Sequence, residues 1–222
     1  MWEYVQANAK DEFKDVHLIA LHVHGPGVFH TKDKPIKSVA DLKGLKMRGP
    51  TRLTTNMLKS LGAVPVGLPL PQIPDAMSKG VIDGAVIPWE VVPSVKVNEL
   101  AKFHSEFDPK LPALYTTTFV LAMNKAKYDA LPADLKKVID ANSGLETSAW
   151  LGKVQEGNDP RGRKTAEERN NAITRLTATD YEAFRKAADQ VDDDWVKEMA
   201  GKGFNGKQLL DTAKSLIQKN TK

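Results

Sequence analysis

The sequence predicts an α/β protein built around a mainly parallel β-sheet. Short apolar strands alternate with helical segments between about residues 38 and 112, a rhythm typical of parallel strands joined by crossover helices. Two segments rich in β-branched, aliphatic and aromatic residues, at 16–23 and 115–123, read as further buried strands. A content of 41% apolar and 27% charged residues is that of an ordinary globular protein with a real core.

The first elements surround a glycine-rich turn. Residues 2–14 read as the end of an amphipathic helix, and residues 16–23 (VHLIALHV) as a strand that is apolar on both faces. The turn signal His24-Gly25-Pro26-Gly27 ends this strand, and residues 29–37 are predicted to form a connecting loop. Ser38 is a candidate N-cap for a helical turn through Leu42.

A strand–helix alternation follows. Residues 45–48 form a short strand, and Thr51 is the expected N-cap of a helix over 52–61 that Gly62 ends. The later elements have the same character: a strand at 63–68, a short helix at 74–79, a strand at 85–87, a helix within 89–100, and the strand at 115–123 (YTTTFVLAM).

A long helical run begins at Pro132. Gly157 and Pro160 interrupt it, so we expect a kink or a break there. The remaining predicted elements are a helix at 164–171, a strand at 173–176, and helices at 179–200 and 208–218.

The predicted strands at 16–23 and 115–123 lack an evident sheet of their own. One α/β lobe, from about residue 25 to residue 112, is nearly complete, whereas these two strands flank it. We therefore expect exposed apolar edges that a swapped homodimer or another oligomer would cover.

Composition excludes several classes of function. There are no cysteines, which rules out disulfides, thiolate metal sites and cysteine nucleophiles. The net charge of +4 is spread along the chain without a basic stripe, so no nucleic-acid partner is predicted. No apolar run reaches the ~18 residues of a membrane span, so no direct membrane insertion is expected. The first residues do not form a signal peptide, so the chain is either cytoplasmic or begins downstream of a removed export signal.

Arg48 is the first candidate binding residue. It ends a strand and precedes a Gly-Pro break and a helix N-terminus. Ligands of open α/β sheets bind at the carboxyl ends of strands, and helix N-termini favour anions. A guanidinium there can hold a carboxylate through two parallel hydrogen bonds. The alternative is a structural salt bridge.

Other candidates lie at the ends of two strands. Trp89 can wall a pocket and donate its indole N–H, or can be a core residue between lobes. Glu90 can bind a hydroxyl, an amine or a cation, or can be a solvated carboxylate at a helix start. His22 and His24 share one face of a strand, but no third ligand has a metal-site spacing, so no metal is predicted. His24, at the turn, is a candidate contact to a small ligand.

Nothing in the sequence indicates catalysis. The chain contains no nucleophile elbow, phosphate-binding loop, dinucleotide fingerprint or metalloprotease motif, and we predict neither an enzyme nor a bound cofactor. The basic cluster over 161–169 has the pattern of a solvated helix face with i,i+4 pairs.

Three spaced motifs resemble the solute-binding proteins of tripartite ATP-independent periplasmic (TRAP) transporters, of the dicarboxylate-binding type. They are SVADLKGLKMRGP at 38–50, LGAVPVGLPLPQIPDAMSKGVIDGAVIPWE at 61–90, and FVLAMNKAKYDALPADLKKVI at 119–139. The resemblance covers essentially the whole chain, and the family's N-terminal third has no counterpart in it.

The resemblance implies a type II periplasmic binding protein-like fold of two lobes with a long connecting helix and one incomplete lobe. The implied segments are 1–24 and 113–150 for the partial first lobe, 25–112 and 165–200 for the second lobe, 133–163 for the linking helix, and 201–222 for a C-terminal helix. In the family, the arginine matched by Arg48 pairs with the substrate carboxylate. A second arginine of some members falls near Val28, and the asparagine of sialic-acid-binding members falls near Ile87. A smaller or more apolar acid is therefore expected, with Trp89 and Phe29 as walls.

The function implied is periplasmic capture of a small organic acid and its delivery to the membrane permease subunits of a TRAP transporter. The alternative is an enzyme or a sensor domain that reuses the same fold.

Overall fold

A computed structural model describes residues 1–220. Its strands are β1 (Val16–Val23), β2 (Gly27–Thr31), β3 (Lys46–Gly49), β4 (Val64–Gly67), β5 (Gly84–Pro88), β6 (Phe103–Phe107), β7 (Thr118–Asn124) and β8 (Ala172–Leu176). Its α-helices are α1 (Trp2–Asn8), α2 (Arg52–Ser60), α3 (Ile73–Ser78), α4 (Val97–Leu100), α5 (Lys125–Asp129), α6 (Ala133–Ala141), α7 (Leu145–Glu156), α8 (Asp159–Glu167), α9 (Ala178–Gly201) and α10 (Gly206–Asn220). The mixed α/β class predicted from the sequence is confirmed.

The chain divides into two compact units. The first unit comprises Met1–His24, Thr118–Gln155 and the chain from Trp195 onward. The second unit comprises Gly25–Thr117 and Glu156–Asp194.

The second unit is built on a six-stranded sheet with the order β4-β3-β5-β2-β6-β8. The pairs β3–β4, β3–β5 and β6–β8 are parallel, as expected, but β2 runs antiparallel to both of its neighbours. The prediction of a loop over 29–37 is wrong at its start, because Gly27–Thr31 is a fully buried central strand. Val28, Phe29 and Thr31 favour a strand, but the preceding Gly25-Pro26-Gly27 reads as a turn, and it is pairing with β5 and β6 on both sides that makes this short segment a central strand.

Two apolar cores cover the opposite faces of this sheet. Val28 and Ile87 belong to the core that contains residues of α3, α4 and α8. Phe29 and Val86 belong to the core that contains residues of α2 and α9. Consecutive residues of one strand enter different cores because side chains alternate across a sheet.

In the first unit, β1 and β7 pair with each other in an antiparallel two-stranded sheet. The expectation that each lacks a partner is therefore wrong, since the two distant segments meet. Nevertheless, Phe119, Val120 and Leu121 of β7 are 39%, 49% and 46% exposed. The predicted apolar exposure is thus present along β7.

The linking helix predicted over 133–163 consists of the three helices α6, α7 and α8. The break between α7 and α8 lies where Gly157 and Pro160 were expected to interrupt it, whereas the break between α6 and α7 was not expected. Gly144, with φ of +103°, separates the first two, because a left-handed residue cannot continue an α-helix. The C-terminal helix predicted at 201–222 begins later than expected, at Gly206, and is described as far as Asn220. A turn precedes it, in which Gly203 has φ of +84°.

Candidate functional site

The backbone of Arg48 is fixed at the carboxyl end of β3. Arg48 lies opposite Val66 of β4 and Ala85 of β5 in parallel register. The next residue, Gly49, packs so closely on the start of α2 that an added Cβ would lie 3.1–3.2 Å from Thr55 and Leu58. The strand end therefore has little freedom to move.

Arg48 is buried, with 5% of its surface exposed. Its Nε donates a hydrogen bond of 3.1 Å to the carbonyl of Leu68, just after β4. Across residues 1–220, Arg48 forms no ion pair with a carboxylate. Burial lowers the pKa of its guanidinium, and the nearby Tyr115 opposes that shift, but an arginine in a protein stays charged. A buried cation with its terminal nitrogens still able to donate is suited to hold an anion.

Trp89 follows β5 and is 5% exposed. Its indole Nε1–H donates a hydrogen bond of 2.8 Å to Oε2 of Glu106. The N–H group predicted to be available to a ligand is therefore used within the protein, and the ring belongs to the core on the α8 side of the sheet. A contact between the ligand and the ring remains a prediction.

Glu106 on β6 is a buried carboxylate that the sequence did not single out. Besides the indole, it accepts hydrogen bonds from Nε of Arg163, at 3.2 Å to each oxygen, and from Nη2 of Arg175 at 3.3 Å. Arg163 lies in the basic segment that was predicted to be a solvated helix face, and it also pairs there with Glu167 as predicted. The signal available in the sequence was an acidic residue in a short strand that begins and ends with phenylalanine, FHSEF.

The backbone after Trp89 is held by α8. Oδ1 of Asp159 accepts a hydrogen bond of 2.9 Å from the N–H of Glu90. An added Cβ on Gly162 would lie 1.8 Å from the Trp89 carbonyl oxygen, so glycine is required for this approach. Burial raises the pKa of Asp159 to about 6, and the negative charges of Glu90 and Glu156 add to that rise.

His30 and His104, here called the histidine pair, lie opposite each other on β2 and β6. Their Nδ1 atoms are 2.6 Å apart. Nε2 of His30 donates to the Ile87 carbonyl at 3.2 Å, and Nε2 of His104 faces the amide nitrogen of Asn171 at 3.0 Å. These neighbours require His104 to donate its Nδ1 proton to His30, so both rings are neutral. Burial lowers the pKa of both rings, to about 4 for His104.

The remaining predicted contacts are Phe29 and His24. Phe29 packs against Phe184, with ring centroids 5.6 Å apart, inside the core between the sheet and α9. This placement favours a structural role for Phe29 over a pocket wall. The segment that was predicted to be a loop at the site is a buried central strand, so the ring faces the core. His24 belongs to the first unit, where it meets the edge of Phe119. Within residues 1–220, no group of three or more potential ligands could hold a metal ion.

The positions matched to a second arginine and to an asparagine of some TRAP solute-binding proteins are apolar core positions here. Val28 and Ile87 face each other across β2 and β5, and both are buried. Neither the second arginine nor the asparagine of those members has a counterpart at these two positions.

The chain matches the family described as bacterial extracellular solute-binding protein, family 7, over residues 3–198. It is 27% identical over 197 residues to the 2,3-diketo-L-gulonate-binding periplasmic protein of Escherichia coli K12, covering 85% of this chain and 56% of that protein. The chain thus spans little more than half the length of this relative. None of the helices in residues 1–220 combines the length and apolarity needed to cross a bilayer.

Two crystal structures are closer in sequence. A TRAP solute-binding protein from Rhodoferax ferrireducens T118, in complex with copurified benzoate, is 63% identical with a TM-score of 0.97, covering 98% of this chain and 68% of that chain. A marine metagenome TRAP solute-binding protein specific for aromatic acid ligands, in complex with 3-hydroxybenzoate, is 45% identical with a TM-score of 0.96, covering 100% and 69% of the two chains.

Proposed function

Because this chain belongs to family 7 of the bacterial extracellular solute-binding proteins, we propose that the protein captures a small organic acid and delivers it to a TRAP transporter. Its activity is then reversible binding, in which the acid favours one conformation of the protein that the permease recognises. The family consists of solute-binding proteins, which weighs against the alternative of an enzyme.

The observation that carries this proposal is the environment of Arg48. Its guanidinium is buried at the carboxyl edge of the sheet, one N–H is bonded to the Leu68 carbonyl, and no carboxylate in the described chain neutralises it. A ligand carboxylate supplies the missing negative charge and accepts from the terminal nitrogens. The N-terminus of α2, four residues further along the chain, adds a favourable dipole for an anion.

The proposed ligand class is an aromatic monocarboxylate. The two similar solved structures hold benzoate and 3-hydroxybenzoate, at 63% and 45% identity. In the second unit of this chain, the positions of Val28 and Ile87 are apolar, which supports an acid whose remainder is apolar rather than a sugar acid or a dicarboxylate. Trp89, His24, Glu90 and Phe29 remain proposed contacts, of which Phe29 is the least supported.

The proposed location is the periplasm, and the proposed protein partners are the membrane permease subunits. The periplasmic protein of Escherichia coli and the TRAP solute-binding proteins among the relatives support both. No nucleic-acid partner is proposed.

Calorimetric titration tests the proposed function directly. The protein should bind benzoate and its ring-hydroxylated derivatives, and succinate should bind much more weakly. The bound acid should be recovered chemically unchanged after prolonged incubation. Failure of every aromatic acid to bind, or turnover of the acid, would contradict the proposal.

The swapped homodimer also remains a proposal. It is supported by the exposed apolar residues Phe119, Val120 and Leu121 of β7. Light scattering and hydrogen exchange of the β7 amides test the dimer. A strictly monomeric chain whose β7 amides are fully protected would contradict the proposal that a second copy covers this strand.

A further inference from the structure

We propose that Glu106 is a positioning residue of the binding site, which fixes the indole of Trp89 as a preorganised wall for the bound acid. This inference rests on the proposed function, because it assigns a role toward the same ligand. Glu106 itself does not need to touch the acid. It acts on binding through the orientation of Trp89.

The sheet brings the relevant residues to one edge. The strands β5 and β6 both run antiparallel to β2, which lies between them, so they run in the same direction. Trp89 directly follows β5, and Glu106 is the penultimate residue of β6. Arg48 lies near the carboxyl end of β3, which is parallel to β5. Arg48 and Trp89 therefore lie at the ends of neighbouring strands, the edge where ligands of α/β sheets bind.

The carboxylate of Glu106 is itself fixed by two arginines. Arg163 reaches both of its oxygens, at 3.2 Å from Nε, and Nη2 of Arg163 lies 3.2 Å from Oε1. Arg175 binds the same Oε1 at 3.3 Å. Rotation of the carboxylate would break these charge-assisted bonds, so Oε2 has a fixed direction in which it accepts the Trp89 N–H.

The indole is restrained on its other sides as well. The two imidazoles of the histidine pair lie against it, with ring centroids 5.1 Å and 5.0 Å from that of Trp89. Its backbone carbonyl is in contact with Gly162 of α8. One hydrogen bond, two ring contacts and a backbone contact leave the indole with one orientation, so ligand binding needs no further ordering of this side chain.

Stability alone does not explain the carboxylate. Burying a charge requires several compensating donors, and a well-packed apolar side chain often stabilises such a position equally well. The ionic cluster instead provides direction, because an acceptor at this position favours the rotamer in which the indole N–H points toward it. Orientation of Trp89 is therefore the property that Glu106 contributes.

A double-mutant cycle with benzoate as the probe tests this role. Glu106→Met removes the acceptor with little change in side-chain length, and should weaken benzoate binding about 3- to 10-fold, the cost of ordering one side chain on binding. Glu106→Gln keeps an oxygen acceptor for the indole and should stay within about 2-fold of the wild type. In a Trp89→Phe background, Glu106→Met should have almost no additional effect, because the N–H group through which Glu106 acts is absent.

Two further variants keep the outcome decisive. Glu167→Met removes the other carboxylate bound by Arg163 and serves as the matched control, with unchanged affinity expected. If Glu106→Met fails to fold, Arg163→Met loosens Glu106 from the opposite side and should lower affinity only when Trp89 is present.

Equal losses in the wild-type and Trp89→Phe backgrounds would overturn the inference, as would unchanged affinity in a folded Glu106→Met variant. Absence of benzoate binding in the wild-type protein would instead reject the proposed ligand class.

Discussion

Replacement of Arg48 is the most direct perturbation of the proposed site. In Arg48→Met, a side chain of similar length fills the space without charge. Arg48 is 5% exposed, and only its Nε has a hydrogen-bond partner in the described chain, the Leu68 carbonyl at 3.1 Å. Charge-assisted hydrogen bonds contribute about 1.5–3 kcal/mol each, and two of them to one carboxylate are available from the free nitrogens.

Removal of one partner of a desolvated charge pair costs about 2–5 kcal/mol. Since about 1.4 kcal/mol corresponds to a tenfold change in affinity, benzoate binding should weaken by about 30-fold to several thousand-fold. Arg48→Lys should recover only part of the loss, because a point charge cannot reproduce the planar fork.

The unliganded protein should respond differently. A guanidinium buried without a counter-charge costs desolvation energy, so its removal should stabilise the folded protein. The same substitution also removes the hydrogen bond to the Leu68 carbonyl, which should destabilise it. These effects oppose each other, and we expect Tm without ligand to change by less than about 4 °C, or roughly 1 kcal/mol.

The assay is calorimetric titration with benzoate, with circular dichroism as the test of folding. Arg185→Met is the matched control, because Arg185 lies on the exposed surface of α9 and pairs there with Glu182 and Asp189. Unchanged benzoate affinity in folded Arg48→Met would refute the site assignment and return Arg48 to a structural role.

Three further predictions concern stability. In the histidine pair, burial lowers the pKa of both rings, so folding stability should fall as the pH drops from 6.5 toward 4, by up to about 3 kcal/mol for the ring whose pKa is about 4. Urea denaturation between pH 7 and pH 4 measures this loss, and a flat profile would contradict it. The pKa of Asp159 is raised to about 6, so Asp159→Asn, whose amide oxygen can still accept the Glu90 N–H, should be more stable than wild type above pH 6, and this advantage should vanish near pH 4. Urea denaturation of wild type and Asp159→Asn over the same pH range tests this prediction. A stability difference that does not change with pH would exclude a buried charge as the cause. Gly162→Ala would place a Cβ 1.8 Å from the Trp89 carbonyl oxygen and should cost about 1–3 kcal/mol. The matched helical change Gly152→Ala, whose nearest neighbour would be 3.7 Å away, should gain up to about 1 kcal/mol in the same urea assay, and equal effects would contradict the packing argument.

Local signals were sufficient for many elements of the fold. The expected N-cap Thr51 accepts a hydrogen bond from the N–H of Thr54, and α2 begins at the next residue, as its sequence indicated. The strand predicted at 16–23 is β1 with the same bounds. In such segments the local sequence signals, namely the apolar pattern and any capping residue, indicate the same element. Contacts with distant parts of the chain are then not needed to predict it.

The elements that were misjudged depend on distant partners. β2 is only five residues long and follows a glycine-rich turn, and it becomes a central strand through pairing with β5 and β6, which follow it by more than fifty residues. The mutual pairing of β1 and β7, about a hundred residues apart, was likewise not evident. Long-range pairing has no counterpart in local periodicity, which explains both errors.

The sequence by itself determined the α/β class, the family through three spaced motifs, and Arg48 as the candidate cation, since a strand end before a Gly-Pro break can be read locally. Only the tertiary structure decided which neighbours each candidate has. It placed Phe29 inside a core, committed the Trp89 N–H to Glu106, and left Arg48 without a carboxylate partner in the described chain. The physical reason is that burial and hydrogen-bond partners arise from segments far apart in the chain, which pack against one another only when the whole sheet is assembled.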